Sequence, residues 1–198
     1  MCWGSKKAET GVKMKINIIL GDIAQQDTEA IVNPANKSLL GGGGADGAIH
    51  RSAGSELLNE CKTLGGCKTG EVKITEGYNL KAKYVIHTVG PVYGAERGKE
   101  AELLKNCYSN SLKLAKEKEI KTISFPFISA GAYRYPKKEA CEIAVKTCME
   151  FGNDFNEIRF VLFDNESIEM FNQSVAKFQE VMIKKGYKIP NNWIYDDK

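Results

Sequence analysis

Apolar residues along this chain switch repeatedly between two spacings. In short runs they fill consecutive or alternate positions. In longer stretches they recur every three or four residues. The short runs are Met14–Leu20 (MKINIIL), Ala30–Asn33, Glu71–Glu76 (EVKITE), Tyr84–Val89 (YVIHTV), Thr122–Phe127 (TISFPF) and Glu157–Phe163 (EIRFVLF). Each reads as a strand, and most are closed by Gly, Pro, Asn or Asp. The longer spacing predicts a helix from Asp46, which can cap it, to about Leu64, with Ile49, Leu57 and Cys61 near one face. Gly54 weakens the middle of that helix and Gly65-Gly66 ends it. A second helix spans Glu100 to Lys118, with Leu104, Tyr108, Leu112 and Ala115 on one stripe. A third covers Lys137–Phe151, with Ala140, Ala144, Cys148 and Phe151 together. The last, Glu166–Lys185, aligns Ile168, Phe171, Val175, Phe178 and Met182 and stops at Gly186.

Strands alternating with helices imply an α/β fold of three layers, its sheet mostly parallel in the second half. No repeat, low-complexity segment or linker divides the chain, and 198 residues suit one domain. That domain is expected over residues 13–185. Residues 1–12 read as a flexible leader or an expression remnant, and residues 186–198 as a polar, loosely held tail. In such sheets ligands bind where the strands end. That edge would carry Gly21-Asp22, Asn33 to Gly44, Gly90-Pro91, Ser129 to Tyr135, and Phe163 to Asn165. A pocket there is the default expectation.

The richest of these loops is Ile31-Val-Asn-Pro-Ala-Asn-Lys-Ser-Leu-Leu-Gly-Gly-Gly-Gly-Ala-Asp-Gly-Ala-Ile-His50. Four consecutive glycines, Gly41 to Gly44, let a ligand approach main-chain N–H groups, and the following helix aims its N-terminus at the same place. The pattern reads as an anion site, most simply for a phosphate or diphosphate. Gly42-x-Gly44-x-x-Gly47 matches the dinucleotide fingerprint only in letters, because Pro34 to Leu40 separate it from the strand. Ser129-Ala130-Gly131-Ala132-Tyr133 enters a helix with small residues and a hydroxyl, which suits either phosphate binding or simple capping. Asp46 and His50 share a helix face; Asp46 either caps the helix or orients a water. Asp22 is either a turn residue or a partner for an exocyclic amine. His87, inside an apolar strand, reads as a satisfied core histidine.

Composition narrows the classes. A net charge of +3 is too mild to argue for nucleic-acid binding, and no apolar run approaches a membrane span. The N-terminus lacks the apolar stretch of a signal peptide. Cys2, Cys61, Cys67, Cys107, Cys141 and Cys148 form no CxxC pair and read as free thiols in a reducing compartment, hence a cytoplasmic protein. With two histidines and no cysteine cluster, no metal and no other cofactor is expected.

Three blocks, IVNPANKSLLGGGGADGAIHRSAG, YVIHTVGP and FPFISAGAYRYP, in this order and spacing, resemble the macrodomain family, and within it the MacroD-type ADP-ribosylhydrolase branch. The likeness covers roughly Lys13 to Lys185. It implies a mixed sheet of six or seven strands between helices and a cleft for ADP-ribose at the strand ends. By resemblance, Asp22 would hold the adenine amino group beside the Ile23 backbone. Gly41, Gly42, Gly43 and Gly44 would embrace the diphosphate together with Ser129, Ala130, Gly131, Ala132 and Tyr133. Asn33 and Asn36 would touch the distal ribose, with Tyr133 packed on it. Phe163 would wall the adenine, with Asn165 beside it. Asp46 matches the branch's catalytic aspartate; Asn36 and His50 complete the expected catalytic set. Pro34 and Ala45 depart from the family pattern without removing a functional group.

The reaction so implied is hydrolysis at the anomeric carbon of the distal ribose, with water held between Asp46 and a ligand phosphate. Substrates would be proteins mono-ADP-ribosylated on acidic side chains and O-acetyl-ADP-ribose, handled by a monomer. The rivals are a non-catalytic ADP-ribose reader and an ADP-ribose 1″-phosphate phosphatase. An RNA-binding role is disfavoured by the modest charge.

Overall fold

The computed structural model describes residues 15–185. The leader 1–12, Met14, Cys2 and the tail 186–198 lie outside the described residues. Six strands form one sheet: β1 (Lys15–Leu20), β2 (Ala30–Ala35), β3 (Val72–Glu76), β4 (Tyr84–Val89), β5 (Thr122–Pro126) and β6 (Glu157–Leu162). Their spatial order is β1-β6-β5-β2-β4-β3. Every pairing is parallel except β3 against β4. The sheet is therefore mixed, with its antiparallel strand at one edge.

The helices are α1 (Gly44–Ala53), α2 (Ser55–Thr63), α3 (Glu100–Glu117), α4 (Lys137–Phe151) and α5 (Asn165–Lys184). Alternation along the strands sorts side chains between two layers. Ile31, Val85 and Val161 join Ile49, Leu57 and Cys61 of α1 and α2 in one core. Their chain neighbours Val32, Ile86 and Phe160 join Leu104, Tyr108, Ala144 and Phe171 of α3, α4 and α5 in the other. Strands buried on both faces explain why these runs read as nearly continuous apolar sequence.

The elements differ from the sequence expectation in three informative places. The helix expected from Asp46 to Leu64 is two helices. Gly54 breaks it at φ 91°, closing α1 and opening α2. A Cβ there would also press on the Asn79 amide at 2.7 Å. Asp46 does not cap α1. Gly43 holds the cap position, and Asp46 sits in the first turn with only 4% of its surface exposed. Finally, β2 runs on to Ala35, two residues past the expected end. Pro34 fits because β5 pairs only with Ala30 and Ile31, so β2 has a single neighbour there. A 3₁₀ turn over Ile23–Gln25, capped by the Asp22 carboxylate, follows β1 and is too short to show as a periodicity.

The glycine loop lies directly on the start of α1. A Cβ on Gly47 would fall on the carbonyl oxygen of Gly42. Backbone is the obstacle, so relief requires moving the loop. Gly47→Ala is expected to cost about 1–3 kcal/mol of stability. Calorimetric melting of the variant beside the wild type measures it, and an unchanged Tm would refute the tight loop–helix contact.

Candidate functional site

The parallel strands β1, β6, β5, β2 and β4 end along one edge, and a cleft opens over it. One part, about 500 Å³, is lined by Asn36, Gly42 to Asp46, Phe127 to Tyr133, Lys137 and Phe163 to Asp164, with Pro34, Gly90, Pro126 and Ser167. The adjoining part, about 470 Å³, is lined by Leu20, Gly21, Asp22, Gly44, Ala48 and Phe163. Gly44 and Phe163 belong to both. The strand-end loops singled out in the sequence thus converge on one continuous depression.

Two loops face each other across the larger part. The N–H groups of Gly42 and Gly43 on one side, and of Ala130, Gly131 and Ala132 on the other, donate to no other group among the described residues. A Cβ added at Gly43, Gly44 or Gly131 would meet nothing, so the main chain is open to the cleft there. Unpaired amides from two directions form a receptor for an oxyanion. The second loop is held by hydrogen bonds from Arg134 N to Gly131 O (2.9 Å) and from Tyr135 N to Ser129 O (3.0 Å). Ser129 adopts φ 64°, a strained conformation for a residue with a Cβ, and its buried Oγ has no hydrogen-bond partner. Gly90 makes this possible: a Cβ on it would strike Ser129 Oγ. Tyr133 lines the cleft while its carbonyl accepts from Tyr93 N at 3.0 Å.

At one end of the larger part lies Asp46. Its Oδ1 accepts from Asn33 Nδ2 at 2.7 Å. His50 Nε2 lies 3.5 Å from the same oxygen but has no hydrogen-bond partner. Oδ2 points toward Gly42, where a Cβ would come within 3.0 Å. Burial raises the Asp46 pKa above the ordinary aspartate value, against the lowering effects of Asn33 and His50. A buried carboxylate with raised proton affinity at a cleft wall suits a general base.

The asparagines divide their roles. Asn36 lines the cleft and shapes the loop: its Nδ2 donates to Gly41 O (2.8 Å), and its Oδ1 accepts from Ser38 N and Ser38 Oγ. Asn33, expected on the distal ribose, is fully buried behind Asp46. The reason is the longer β2, which puts Asn33 on the inward face it shares with Ile31 and Ala35. Behind it stands His87, also fully buried, with Nδ1 3.1 Å from Asn33 Nδ2 and Nε2 2.9 Å from Thr75 Oγ1. Burial depresses the His87 pKa to about 3, so the ring is neutral.

At the other end, the Asp22 Oδ1 accepts from Ala24 N at 2.9 Å, which fixes the carboxylate at the cleft wall. Ile23 is buried and lines neither part of the cleft. Phe163 is 64% exposed and stands over the junction of the two parts. Asn165 does not line the cleft; its neighbour Asp164 does. Asp164 caps α5 by accepting from Ser167 N at 2.7 Å, and that bond lowers its pKa. Gly41 and His50 also lie beneath the lining, and a Cβ on Gly41 would touch the His50 ring at 3.4 Å. Sequence reasoning missed Phe127, Ile128 and Lys137 as lining residues, and none of the three carries a local signal; Asp164 belongs to the Phe163 to Asn165 loop expected at this edge. Lys137 reaches Glu166 (2.8 Å) and Asp164 (3.5 Å) across the rim. Among the described residues no group of three His, Cys, Asp or Glu could hold a metal, and no helix is long and apolar enough to cross a membrane.

Fold and site together define a three-layer α/β protein with an oxyanion-receptive cleft over the carboxyl edge of its sheet. The model of the Macro domain family matches residues 32–144, and the chain belongs to that family. A macro domain-containing protein of Methanosarcina mazei is 51% identical over 180 residues, covering 86% of this chain and 96% of its own. Another, from Chlorobaculum tepidum, is 51% identical over 164 residues, covering 81% and 95%. Among solved structures, the Oceanobacillus iheyensis macrodomain with ADP superposes with a TM-score of 0.80 at 43% identity, covering 83% of this chain and 91% of that one. The Trypanosoma brucei macrodomain in complex with ADP-ribose gives 0.74 at 41%, covering 81% and 68%.

Proposed function

We propose that this protein binds ADP-ribose in the cleft and hydrolyses the bond at the anomeric carbon of the distal ribose, as a MacroD-type macrodomain. The observation that carries the reading is the placement of Asp46, buried and oriented by Asn33, at the cleft wall beside two facing rows of unpaired amides. A diphosphate between Gly42–Gly43 and Ala130–Ala132 would leave adenine toward Asp22 and Phe163 and the distal ribose toward Asn36 and Asp46. The ADP and ADP-ribose complexes of the two related macrodomains support that choice of ligand.

In this reading Asp46 and a ligand phosphate oxygen hold a water, and Asp46 draws its proton as the water attacks. The transition state has oxocarbenium character, and Asn36 orients the ribose. Substrates are mono-ADP-ribose esterified to acidic side chains and O-acetyl-ADP-ribose, where attack at the acyl carbon reaches the same product. We place the protein in the cytoplasm, because its described cysteines are all free thiols. A reader without turnover is the second reading; the oriented carboxylate favours the enzyme.

The decisive experiment incubates the protein with a substrate carrying glutamate-linked ADP-ribose. Free ADP-ribose is expected. Binding heat with no release would leave the reader, and no heat with ADP-ribose would remove both. The adenine assignment is tested separately. Phe163→Ala is expected to weaken ADP-ribose binding about tenfold, within the range for loss of one base–aromatic stack, and to raise KM with kcat kept. Unchanged affinity by calorimetry would move the base elsewhere.

A further inference from the structure

The register of the sheet places Asn33 of β2 directly across from His87 of β4. Both side chains point into the layer of α1 and α2, as Ile31 and Val85 do. One atom, Asn33 Nδ2, faces both Asp46 Oδ1 (2.7 Å) and His87 Nδ1 (3.1 Å). Its two hydrogens suit two acceptors, so His87 must present Nδ1 as a lone pair. The ring proton then sits on Nε2 and is donated to Thr75 Oγ1 at 2.9 Å. Cys61 Sγ, 3.8 Å from Nε2, is a weaker neighbour of the same edge.

The arrangement has an internal cost. Asn33 Oδ1 is buried and has no hydrogen-bond partner. An orphaned buried amide oxygen normally turns toward a donor. Here a turn of the amide would set that oxygen against the Asp46 carboxylate and against the His87 lone pair. The neutral, Nδ1-accepting tautomer of His87 therefore does more than fill the core. It makes the opposite orientation of Asn33 repulsive.

We infer that His87, with Thr75 behind it, is a positioning residue for Asp46: its tautomer locks the Asn33 amide so that a donor, not an acceptor, faces the carboxylate. The inference rests on the proposed hydrolysis for its functional meaning, but not for its geometry. Thr75 sets the tautomer, His87 sets the amide, and the amide sets the proton affinity of Asp46. The other titratable or charged groups around the chain of contacts are His50 on α1, Cys61 on α2, and Lys73, opposite His87 on β3. None of them contacts Asn33 Nδ2.

The test reads Asp46 directly, in the full chain without ligand, by following its carboxyl ¹³C shift against pH. Thr75→Val removes the acceptor for Nε2–H at nearly constant volume. The His87 proton is then free to move to Nδ1, and the Asn33 amide turns. His87→Phe removes the acceptor at Nδ1 altogether, whereas His87→Gln supplies a new one. In Thr75→Val and His87→Phe the Asp46 midpoint is expected to rise by about one pH unit, tenfold in proton affinity. His87→Gln is expected to restore most of it. The acid limb of ADP-ribose release should move by the same amount, with ADP-ribose affinity unchanged. A purely structural role would lower melting temperature without moving that midpoint, and an unmoved midpoint in both folded variants overturns the inference. If the midpoint moves while wild type releases no ADP-ribose, the positioning role stands and the hydrolase reading fails.

Discussion

Asp46→Ala releases ADP-ribose from a modified protein about 10²–10⁴-fold more slowly than wild type, the usual contribution of a positioned general base. Affinity for free ADP-ribose changes little, because the amides that would grip the diphosphate belong to Gly42, Gly43 and the Ala130–Ala132 loop, not to this side chain. Asp46→Asn sharpens the test, since it keeps the shape and an oxygen for Asn33 Nδ2 to bond. If it is as slow as Asp46→Ala, basicity rather than packing is responsible. Single-turnover release and calorimetric titration are measured on the same preparations. Parallel loss of rate and affinity would make Asp46 a structural residue and end the proposed mechanism. Because burial raises the Asp46 pKa, the base is lost at a higher pH than for an exposed aspartate, so the rate falls early on acidification.

The second large effect concerns stability. Burial holds the His87 pKa in the folded protein at about 3, whereas an unfolded histidine titrates near 6.5. Between those values the unfolded chain binds a proton that the folded chain refuses. Stability therefore rises with pH through this window and falls on acidification. The loss is about 2 kcal/mol by pH 5, a large fraction of the 5–15 kcal/mol typical of a domain. Asp46 works in the opposite direction, since its raised pKa favours the folded state as acid is added. The carboxylates of Asp27, paired with Arg159, and of Asp164, bonded to Ser167, have lowered values. Their contribution is complete above the ordinary carboxylate range and is lost only below it, after the His87 effect has begun. Urea unfolding at pH 7 and pH 5 is expected to show the drop in wild type and a much flatter response in His87→Gln. Identical slopes in the two proteins would place the acid sensitivity elsewhere.

Much of this molecule was legible in local pattern. All six strands and the helices over α3, α4 and α5 follow from spacing alone, because the central strands bury both faces, the edge strands β1 and β3 are short apolar or alternating runs, and each helix buries a stripe. The glycine loop, the Ser129–Tyr133 loop and Asp46 also stood out as chemistry. What spacing missed has specific causes. Gly54 is a weak residue in any helix, but only the left-handed turn it takes here, beside Asn79, makes it a break. Asp46 looked like a cap because Asp commonly is one; four preceding glycines let the helix start two residues sooner. Lys137 and Phe127 belong to the cleft only through the packing of α4 and α5.

Asn33 and Asn36 mark the boundary most clearly. Their motif announced a polar site, yet nothing local says which asparagine meets solvent. That depends on how far β2 stays paired with β4, which sets Asn33 across from His87 and turns it inward against Asp46. Residue types and their spacing established the fold class, the oxyanion loops and the acidic group. Strand register established who touches whom, because a hydrogen bond across a sheet joins residues 54 apart in sequence and leaves no trace in either neighbourhood.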